Sequence, residues 1–129
     1  MMRMTQKGVG LVEVLVALVL LSVAVLGFVA LQLRAVEASV EAGMNLQASN
    51  IAMDLAERMR VNREGLSGYI KNTSNDNCEA NFCGPTEMAK YDFRQVESQA
   101  SNLGMSINVL NCQGTTLVRK CIYVAWGGT

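Results

Sequence analysis

The chain has 129 residues, a length that allows one domain with at most a small appendage. Eleven basic side chains balance eleven acidic ones, which argues against a nucleic-acid interface built on a basic face. The absence of histidine excludes a histidine-based metal site, a Ser-His-Asp triad and a histidine general base.

The apolar residues are concentrated near the start of the chain, in residues 9–33. Between positions 14 and 31, Ser22 is the only polar residue in a run of eighteen. As a helix this run is about 27 Å long, close to the thickness of the hydrocarbon core of a bilayer. The rest of the chain is too small to cover such a helix on every face, so the sequence predicts a membrane-spanning helix.

The residues before the apolar run predict its orientation. Arg3 and Lys7 precede it without any acidic residue, which places the N-terminus in the cytoplasm and the rest of the chain outside the inner membrane. A cleaved secretory signal peptide is one alternative, but its apolar stretch is shorter, about 7–15 residues. An unprocessed signal anchor is the other.

Glu13 is an ionisable residue inside this apolar run. Such a group is unfavourable in lipid and indicates a function unless it reaches the interface near the helix end. Gly8 lies five positions before it. Cleavage after Gly8 would give Val9 a free amine, and that amine on a neighbouring subunit would be an available cation for the Glu13 carboxylate.

Residues 7–18, KGVGLVEVLVAL, resemble the class III signal of type IV prepilins and pseudopilins. That signal is a short basic leader ending in Gly, followed by an apolar segment with Glu five residues after the Gly. Val9 replaces the commonest Phe, and Gly10 replaces the usual Thr or Ser. The resemblance implies that prepilin peptidase cuts between Gly8 and Val9 and methylates the Val9 amine. It also implies that Glu13 sets the register of an incoming subunit in a fibre.

A second pattern continues the helix beyond the membrane segment. Apolar residues recur every three or four positions from 36 to 59, without Pro, and predict one helix from about Gly10 to Arg63. We expect its second half to pack on a small head, with Asp54 and Arg58 forming a surface pair. For Arg58, Arg60 and Arg63 we expect solvated or capping roles rather than nucleic-acid binding, because acidic residues lie among them. The apolar stripe comprises Val36, Val40, Met44, Ala48, Ile51, Ala52, Leu55 and Met59.

Residues 47–63, QASNIAMDLAERMRVNR, are similar to the end of the long helix in the PilV group of minor pilins, the type IV pilus modification proteins. Major pilins usually carry a Pro in the latter part of the membrane segment, and this chain has none there. The resemblance therefore favours a minor component of the fibre.

The remaining residues predict an α+β, type IV pilin-like fold, in which the long N-terminal helix packs on a small antiparallel sheet and a second short helix. That helix is expected over 87–103, with Met88, Tyr91, Val96 and Leu103 as partial apolar anchors. Strands are expected over 106–111 and 117–126, joined by a turn at 113–116, with a possible third strand near residues 69 and 70. The predicted segments are a leader (1–8), a transmembrane and assembly helix (9–33), its amphipathic half (34–63) and an extracytoplasmic head (64–129).

Four cysteines lie in the predicted head: Cys78, Cys83, Cys112 and Cys121. An even number in a small exported domain predicts two disulfides, for which three connectivities exist. We favour the local pairs, Cys78 with Cys83 and Cys112 with Cys121, since they close small loops. A zinc site of four thiolates is the rival, but these spacings fit zinc ribbons and knuckles poorly. No C-x-x-C motif is present.

The sequence favours a structural protein over an enzyme, with no cofactor. The resemblance implies a minor pilin that helps prime or modify pilus assembly, and so affects piliation, twitching motility and adhesion. Its implied partners are prepilin peptidase, other minor pilins, the major pilin, the inner-membrane assembly platform and the inner membrane, and it would move from that membrane into the pilus. A type II secretion pseudopilin is the close alternative.

A membrane-anchored periplasmic enzyme or binding module is the more distant alternative. It would need a cluster of polar side chains in the head. The charged residues there show no recognisable spacing, and we expect them to be surface charges: Lys71, Glu79, Glu87, Lys90, Asp92 and Glu97.

Overall fold

A computed structural model describes residues 8 and 10–128 of the chain. The elements are helix α1 (Leu11–Val61), a short 3₁₀ helix (Arg63–Gly68), helix α2 (Pro85–Asn102), and strands β1 (Met105–Asn111) and β2 (Lys120–Trp126). The predicted α+β fold, a long N-terminal helix with a small antiparallel sheet and a second helix, is confirmed.

The chain forms two compact units that divide between Ala42 and Gly43. In the first unit every described side chain of α1 is exposed, including Val36 and Val40, which we expected on the covered stripe. Burial of α1 begins in the second unit, where Met44 is half-buried and Ala48 is the first buried residue. The covered stripe therefore begins at Met44 rather than at Val36, since all residues of the buried cluster lie in the second unit.

The core of the second unit is built from one face of each helix and one face of the sheet. Helix α1 contributes residues spaced three or four apart, as a single buried face requires. Leu55, Tyr69, Phe93 and Val96 are the largest fully buried side chains. The buried cluster comprises Ala48, Ile51, Leu55, Met59, Tyr69, Ala89, Phe93, Val96, Ala100, Met105, Ile107 and Val109.

Helix α2 begins two residues before the predicted start. Pro85 occupies the first helical position, where its missing N–H removes no helical hydrogen bond, and the Glu87 carboxylate accepts a bond from the Gly84 N–H at 3.3 Å. The helix ends before Gly104, whose φ of +71° suits glycine. Of the expected anchors, Val96 is buried, whereas Leu103 is 40% exposed and was a wrong choice.

The two strands pair antiparallel over seven residues each, from Met105 opposite Trp126 to Asn111 opposite Lys120. Strand β2 begins three residues later than predicted, and Leu117 and Val118 lie exposed in the loop before it. Alternate residues of β1 are buried, as the period of a half-covered strand requires.

The expected third strand near residues 69 and 70 is not present among the described residues, where the sheet has two strands. Tyr69 is instead 1% exposed, and its hydroxyl lies 3.0 Å from the Arg58 carbonyl oxygen of α1. The Ile70 N–H donates to Gly68 O at 2.9 Å, a turn rather than a ladder bond. Burial of the aromatic ring between the helices therefore prevails over the strand preference of these two residues.

The 3₁₀ helix lies against the start of α2 at a distance that requires glycine. A Cβ atom at Gly65 would stand 2.1 Å from the Pro85 carbonyl oxygen, and one at Gly68 would stand 2.8 Å from the Ala89 Cβ. The Asn62 side-chain amide donates to the same Pro85 oxygen at 2.8 Å. The backbone turn that follows α1 is thus held directly on α2.

Both disulfides join cysteines that are close in the sequence. Cys78 pairs with Cys83 and Cys112 with Cys121, at Cα–Cα distances of 5.5 and 5.0 Å and sequence separations of 5 and 9. The second bond closes the loop between β1 and β2. Loops this short correspond to roughly 2–3 kcal/mol of stabilisation each in the chain-entropy picture.

Two phenylalanines give a matched test of this core. Phe93 is fully buried, whereas Phe82 is 97% exposed in the loop closed by Cys78 and Cys83. We expect Phe93→Ala to lower the free energy of unfolding by about 3–5 kcal/mol, because it leaves a cavity in the core. Phe82→Ala should change it by less than about 0.5 kcal/mol. Denaturant titration of the full-length protein in detergent measures both, and equal losses would contradict the assigned core.

Candidate functional site

The start of α1 carries the residues that the sequence singled out for assembly. The Gly10 carbonyl accepts the first helical bond from the Val14 N–H at 3.2 Å, and Glu13 lies in the first turn with its side chain exposed. Gly8 is exposed as well. Val9, the expected cleavage and methylation position, and Arg3 and Lys7 of the expected leader lie outside the described residues.

The helix that follows Glu13 presents apolar side chains on all sides. Its most apolar window of eighteen residues has a mean hydropathy of 3.1, and none of that window is buried. The Ser22 hydroxyl donates to the Leu18 carbonyl oxygen at 2.7 Å, so the one polar side chain between positions 14 and 31 is satisfied within the helix. In length and composition this helix is able to cross a membrane.

The Glu13 carboxylate is the one charge on this apolar part of the described helix. Comparing the energies of its interactions shows what kind of partner it needs. The positive N-terminal end of a helix dipole favours a nearby carboxylate by about 0.3–1 kcal/mol. Placing a charged side chain at the centre of a bilayer costs about 2.5–3.5 kcal/mol or more. Glu13 lies in the first turn rather than at the bilayer centre, so this cost is an upper bound for it. A Glu13 side chain held in lipid is neutralised either by a cation or by taking up a proton.

No such cation lies within reach in the described part of α1. Glu13 makes no ion pair with residues 8 or 10–128, and the first basic residue after it is Arg34, twenty-one positions along the chain. At 1.5 Å per residue this separation is about 30 Å of helix. The neutralising charge has to come from the N-terminus or from another molecule.

A second group of polar side chains lies inside the head, where α1 meets α2. Asp92 of α2 is 8% exposed and is the only buried charged residue among those described. Its Oδ1 accepts a bond from Arg58 Nη1 at 3.0 Å, and its Oδ2 lies 2.9 Å from the Tyr69 hydroxyl. Arg58 also bonds Asp54 Oδ1 through Nε at 3.0 Å. One guanidinium thus joins two carboxylates, and Asp92 joins both helices to Tyr69.

These contacts shift two pKa values. Burial raises the pKa of Tyr69 to about 12, and the neighbouring Asp92 carboxylate acts in the same direction by accepting the phenol's proton in a hydrogen bond. Partial burial alone would lower the pKa of Arg58, but the bonds to Asp54 and Asp92 outweigh it and raise the value. Arg58 stays charged and Tyr69 stays neutral at physiological pH, so the cluster is a fixed structural connection.

Two expectations about charged residues were therefore wrong. Asp92 is not a surface charge, and Arg58 is not merely solvated or capping, because it pairs with Asp92 across the two helices. The missed signal is the position of Asp92, which shares the helical face of Ala89, Phe93 and Val96. Arg60 and Arg63 are exposed, and Arg60 pairs with Glu57 at 3.2 Å.

The rest of the head brings no chemistry together in the part of the chain that the structure covers. No group of three His, Cys, Asp or Glu side chains there is placed to hold a metal ion, and all four cysteines are in disulfides. The Glu87 carboxylate accepts a bond at the start of α2, and Glu79 is exposed. Two features of the described residues still lack a partner: the apolar half of α1 needs a covering environment, and Glu13 needs a neutralising group.

Two protein-family models match the chain. The model described as type IV pilin Tt1218 matches residues 30–94, and the prokaryotic N-terminal methylation motif matches residues 3–29. The first match contains the Arg58, Tyr69 and Asp92 cluster, and the second contains Gly8 and Glu13. No curated protein and no solved structure matches the chain.

Replacing Asp92 tests the cluster in the head. We expect Asp92→Ala to lower the free energy of unfolding by roughly 2–3 kcal/mol, because it leaves Arg58 and the buried Tyr69 hydroxyl without their shared acceptor. The control Glu97→Ala removes a carboxylate that lies on the same helix but outside the cluster. It should change the free energy of unfolding by less than about 0.5 kcal/mol. Denaturant titration in detergent compares the two, and an unaltered Asp92→Ala protein would exclude a stabilising role for the cluster.

Proposed function

The chain belongs to the type IV pilin family represented by Tt1218, and on this basis we propose that it is a minor pilin of the PilV kind. In this role it is a structural subunit that takes part in priming or modifying the assembly of a type IV pilus. Piliation, twitching motility and adhesion would depend on it through the fibre, without any chemistry performed by the chain itself.

The observation that carries this proposal is the isolated carboxylate of Glu13. It lies in the first turn of an exposed apolar helix, five positions after Gly8 and about 30 Å of helix from the next basic side chain. Cleavage between Gly8 and Val9 would create an amine two residues before α1 begins. On an adjacent subunit, this methylated Val9 amine is a cation that can meet Glu13 in a medium of low dielectric constant, where the attraction is strong.

Two features favour a minor subunit over the bulk subunit of the fibre. Helix α1 contains no Pro between Leu11 and Val61. The PilV-like run at its end also supplies Arg58, which pairs with Asp92 of α2, and Asp54, which bonds the same guanidinium within α1. The residues that carry this resemblance therefore have a structural role in the chain, which supports the assignment to the PilV group.

The proposed organisation follows from these assignments. Residues 1–8 are the leader, 9–33 the transmembrane and assembly segment, 34–63 the amphipathic half of the long helix, and 64–129 the extracytoplasmic head. Removing the leader removes Arg3 and Lys7, which leaves nine basic against eleven acidic side chains. Before assembly the chain spans the inner membrane with its N-terminus in the cytoplasm, and prepilin peptidase, the assembly platform, other minor pilins and the major pilin are its partners.

Substitution of Glu13 tests the assembly role. In a pilus-competent cell we expect the Glu13→Ala and Glu13→Gln proteins to be cleaved as usual. Their amount in sheared pili should fall by about tenfold or more, because they lose the attraction between Glu13 and the amine of a neighbouring subunit. A tenfold fall corresponds to about 1.4 kcal/mol. Val12→Ala, one position away and without a charge change, should be incorporated normally. The measurement is the ratio of this chain to the major pilin in sheared fibres, with the cellular amount as reference.

Three results would contradict the proposal. Normal incorporation of both Glu13 variants would remove the assembly role of the carboxylate. Failure of cleavage in these variants would place Glu13 in peptidase recognition instead. A deletion strain that keeps its pili but loses type II secretion would replace the pilus assignment with the pseudopilin alternative.

A further inference from the structure

A polar cavity lies between the loop that precedes α2 and a face of α2 that the core does not cover. Its volume of about 400 Å³ falls within the range of roughly 300–1,000 Å³ that is usual for small-molecule sites. Both walls come from residues 75–98, so no strand of the sheet takes part. The lining residues are Asn75, Asp76, Asn77 and Glu79 of the loop and Tyr91, Arg94, Gln95 and Ser98 of α2.

The loop wall of this cavity is held in place by the chain itself. The Arg94 side chain donates through Nη1 to the Ser74 carbonyl oxygen, which fixes the loop on the helix. Asn77 Oδ1 accepts bonds from the N–H groups of Glu79 and Ala80 at 3.1 and 3.3 Å, and this orients the Asn77 side chain. The first disulfide closes the loop directly after Asn77. A ligand entering the cavity therefore has less ordering of the protein to offset.

The charges at the cavity exclude a simple ion as the ligand. Asp76 and Glu79 line it together with the half-buried Arg94, whose guanidinium has no carboxylate within 4.0 Å among the described residues. An anion would meet two carboxylates and a metal ion would meet the guanidinium, so an ion of either sign is also repelled. The remaining ligand is a neutral molecule rich in both donors and acceptors.

The uncharged side chains narrow this class further. The amides of Asn75 and Gln95 are exposed, and each offers an acceptor oxygen beside donor N–H groups. Tyr91 adds an aromatic face with a polar tip, and its pKa is raised because the phenol donates a hydrogen bond to Glu79. A sugar ring carries neighbouring hydroxyls, each a donor and an acceptor, around an apolar C–H face. Planar amides and an aromatic ring match these two parts.

We propose that this cavity is a binding site for a neutral carbohydrate. The amides of Asn75 and Gln95 bond to its hydroxyls, Arg94 donates to a further oxygen, and the ring of Tyr91 packs on its C–H face. The same site serves a free oligosaccharide or one attached to a surface. It does not rest on leader cleavage, on Glu13 or on the proposed place in a pilus, since binding is a property of the head alone.

The test uses the full-length protein in a zwitterionic detergent, because glycoside detergents carry sugars of their own. An array of immobilised oligosaccharides of glucose, galactose, mannose and N-acetylglucosamine is the probe, with sialylated and sulfated forms beside them. We expect at least one neutral oligosaccharide to bind, and its charged forms to bind more weakly. Titration with that oligosaccharide free in solution should give a Kd of about 1 mM or tighter. Salt between roughly 0.05 and 0.5 M should change the Kd by less than about twofold, since no ion pair forms.

Two glutamines of α2 provide matched variants. Gln95 lines the cavity, whereas Gln99 is exposed on the same helix and does not line it. Gln95→Ala should weaken binding by about fivefold, and Gln99→Ala should leave it within about 1.5-fold. Tyr91→Ala should weaken binding by about tenfold, whereas Tyr91→Phe, which keeps the ring, should stay within about threefold.

Several results would overturn the carbohydrate site. They are the absence of binding by every neutral oligosaccharide at about 10 mM, a preference for the sialylated or sulfated forms, and a Kd that rises steeply with salt. Equal effects of Gln95→Ala and Gln99→Ala would place any binding elsewhere on the protein. Because Gln95 is exposed and makes no hydrogen bond within the described residues, its variant keeps the fold and decides the matter even if Tyr91→Ala is unstable.

Discussion

An uncovered apolar helix with one carboxylate near its start is the constraint on which the rest of this chain depends. Every described side chain in the first half of α1 is exposed. It therefore needs lipid or other helices around it, since water is unfavourable for so large an apolar surface. Within either environment the Glu13 carboxylate needs a cation, and the described helix provides none nearby. Insertion in the membrane and packing with other subunits are two ways of meeting the same requirement.

The head meets a different constraint, which is its small size. A two-stranded sheet is marginally stable alone, and here one helix face from α1 and one from α2 complete the core. Two local disulfides and the cluster of Arg58, Tyr69 and Asp92 add connections that do not depend on core size.

The sequence predicted those parts of the fold that depend on local pattern. The hydrophobic periodicity and the lack of Pro predicted both ends of α1 to within two residues of those in the structure. The alternation in residues 106–111 predicted both ends of β1 to within one residue. The disulfide pairs favoured from the sequence are the pairs in the structure, where short separations bring the cysteines together. Three features depend on contacts between distant segments, and these were missed: the burial of Asp92, the pairing of Arg58 across two helices, and the burial of Tyr69 in place of a strand. Only the burial of Asp92 had a local sign in the sequence, which is an acidic residue on an otherwise apolar helical face.

The most direct measurement is the intact mass and the N-terminal sequence of the chain after expression with prepilin peptidase. A chain that begins at Val9, with one additional methyl group on its amine, is the predicted result, because the role of Glu13 requires a cation created by cleavage. A chain that still begins with its leader, in a cell where the peptidase processes other prepilins, would contradict it. Glu13 would then be an interfacial charge at the start of an ordinary membrane anchor.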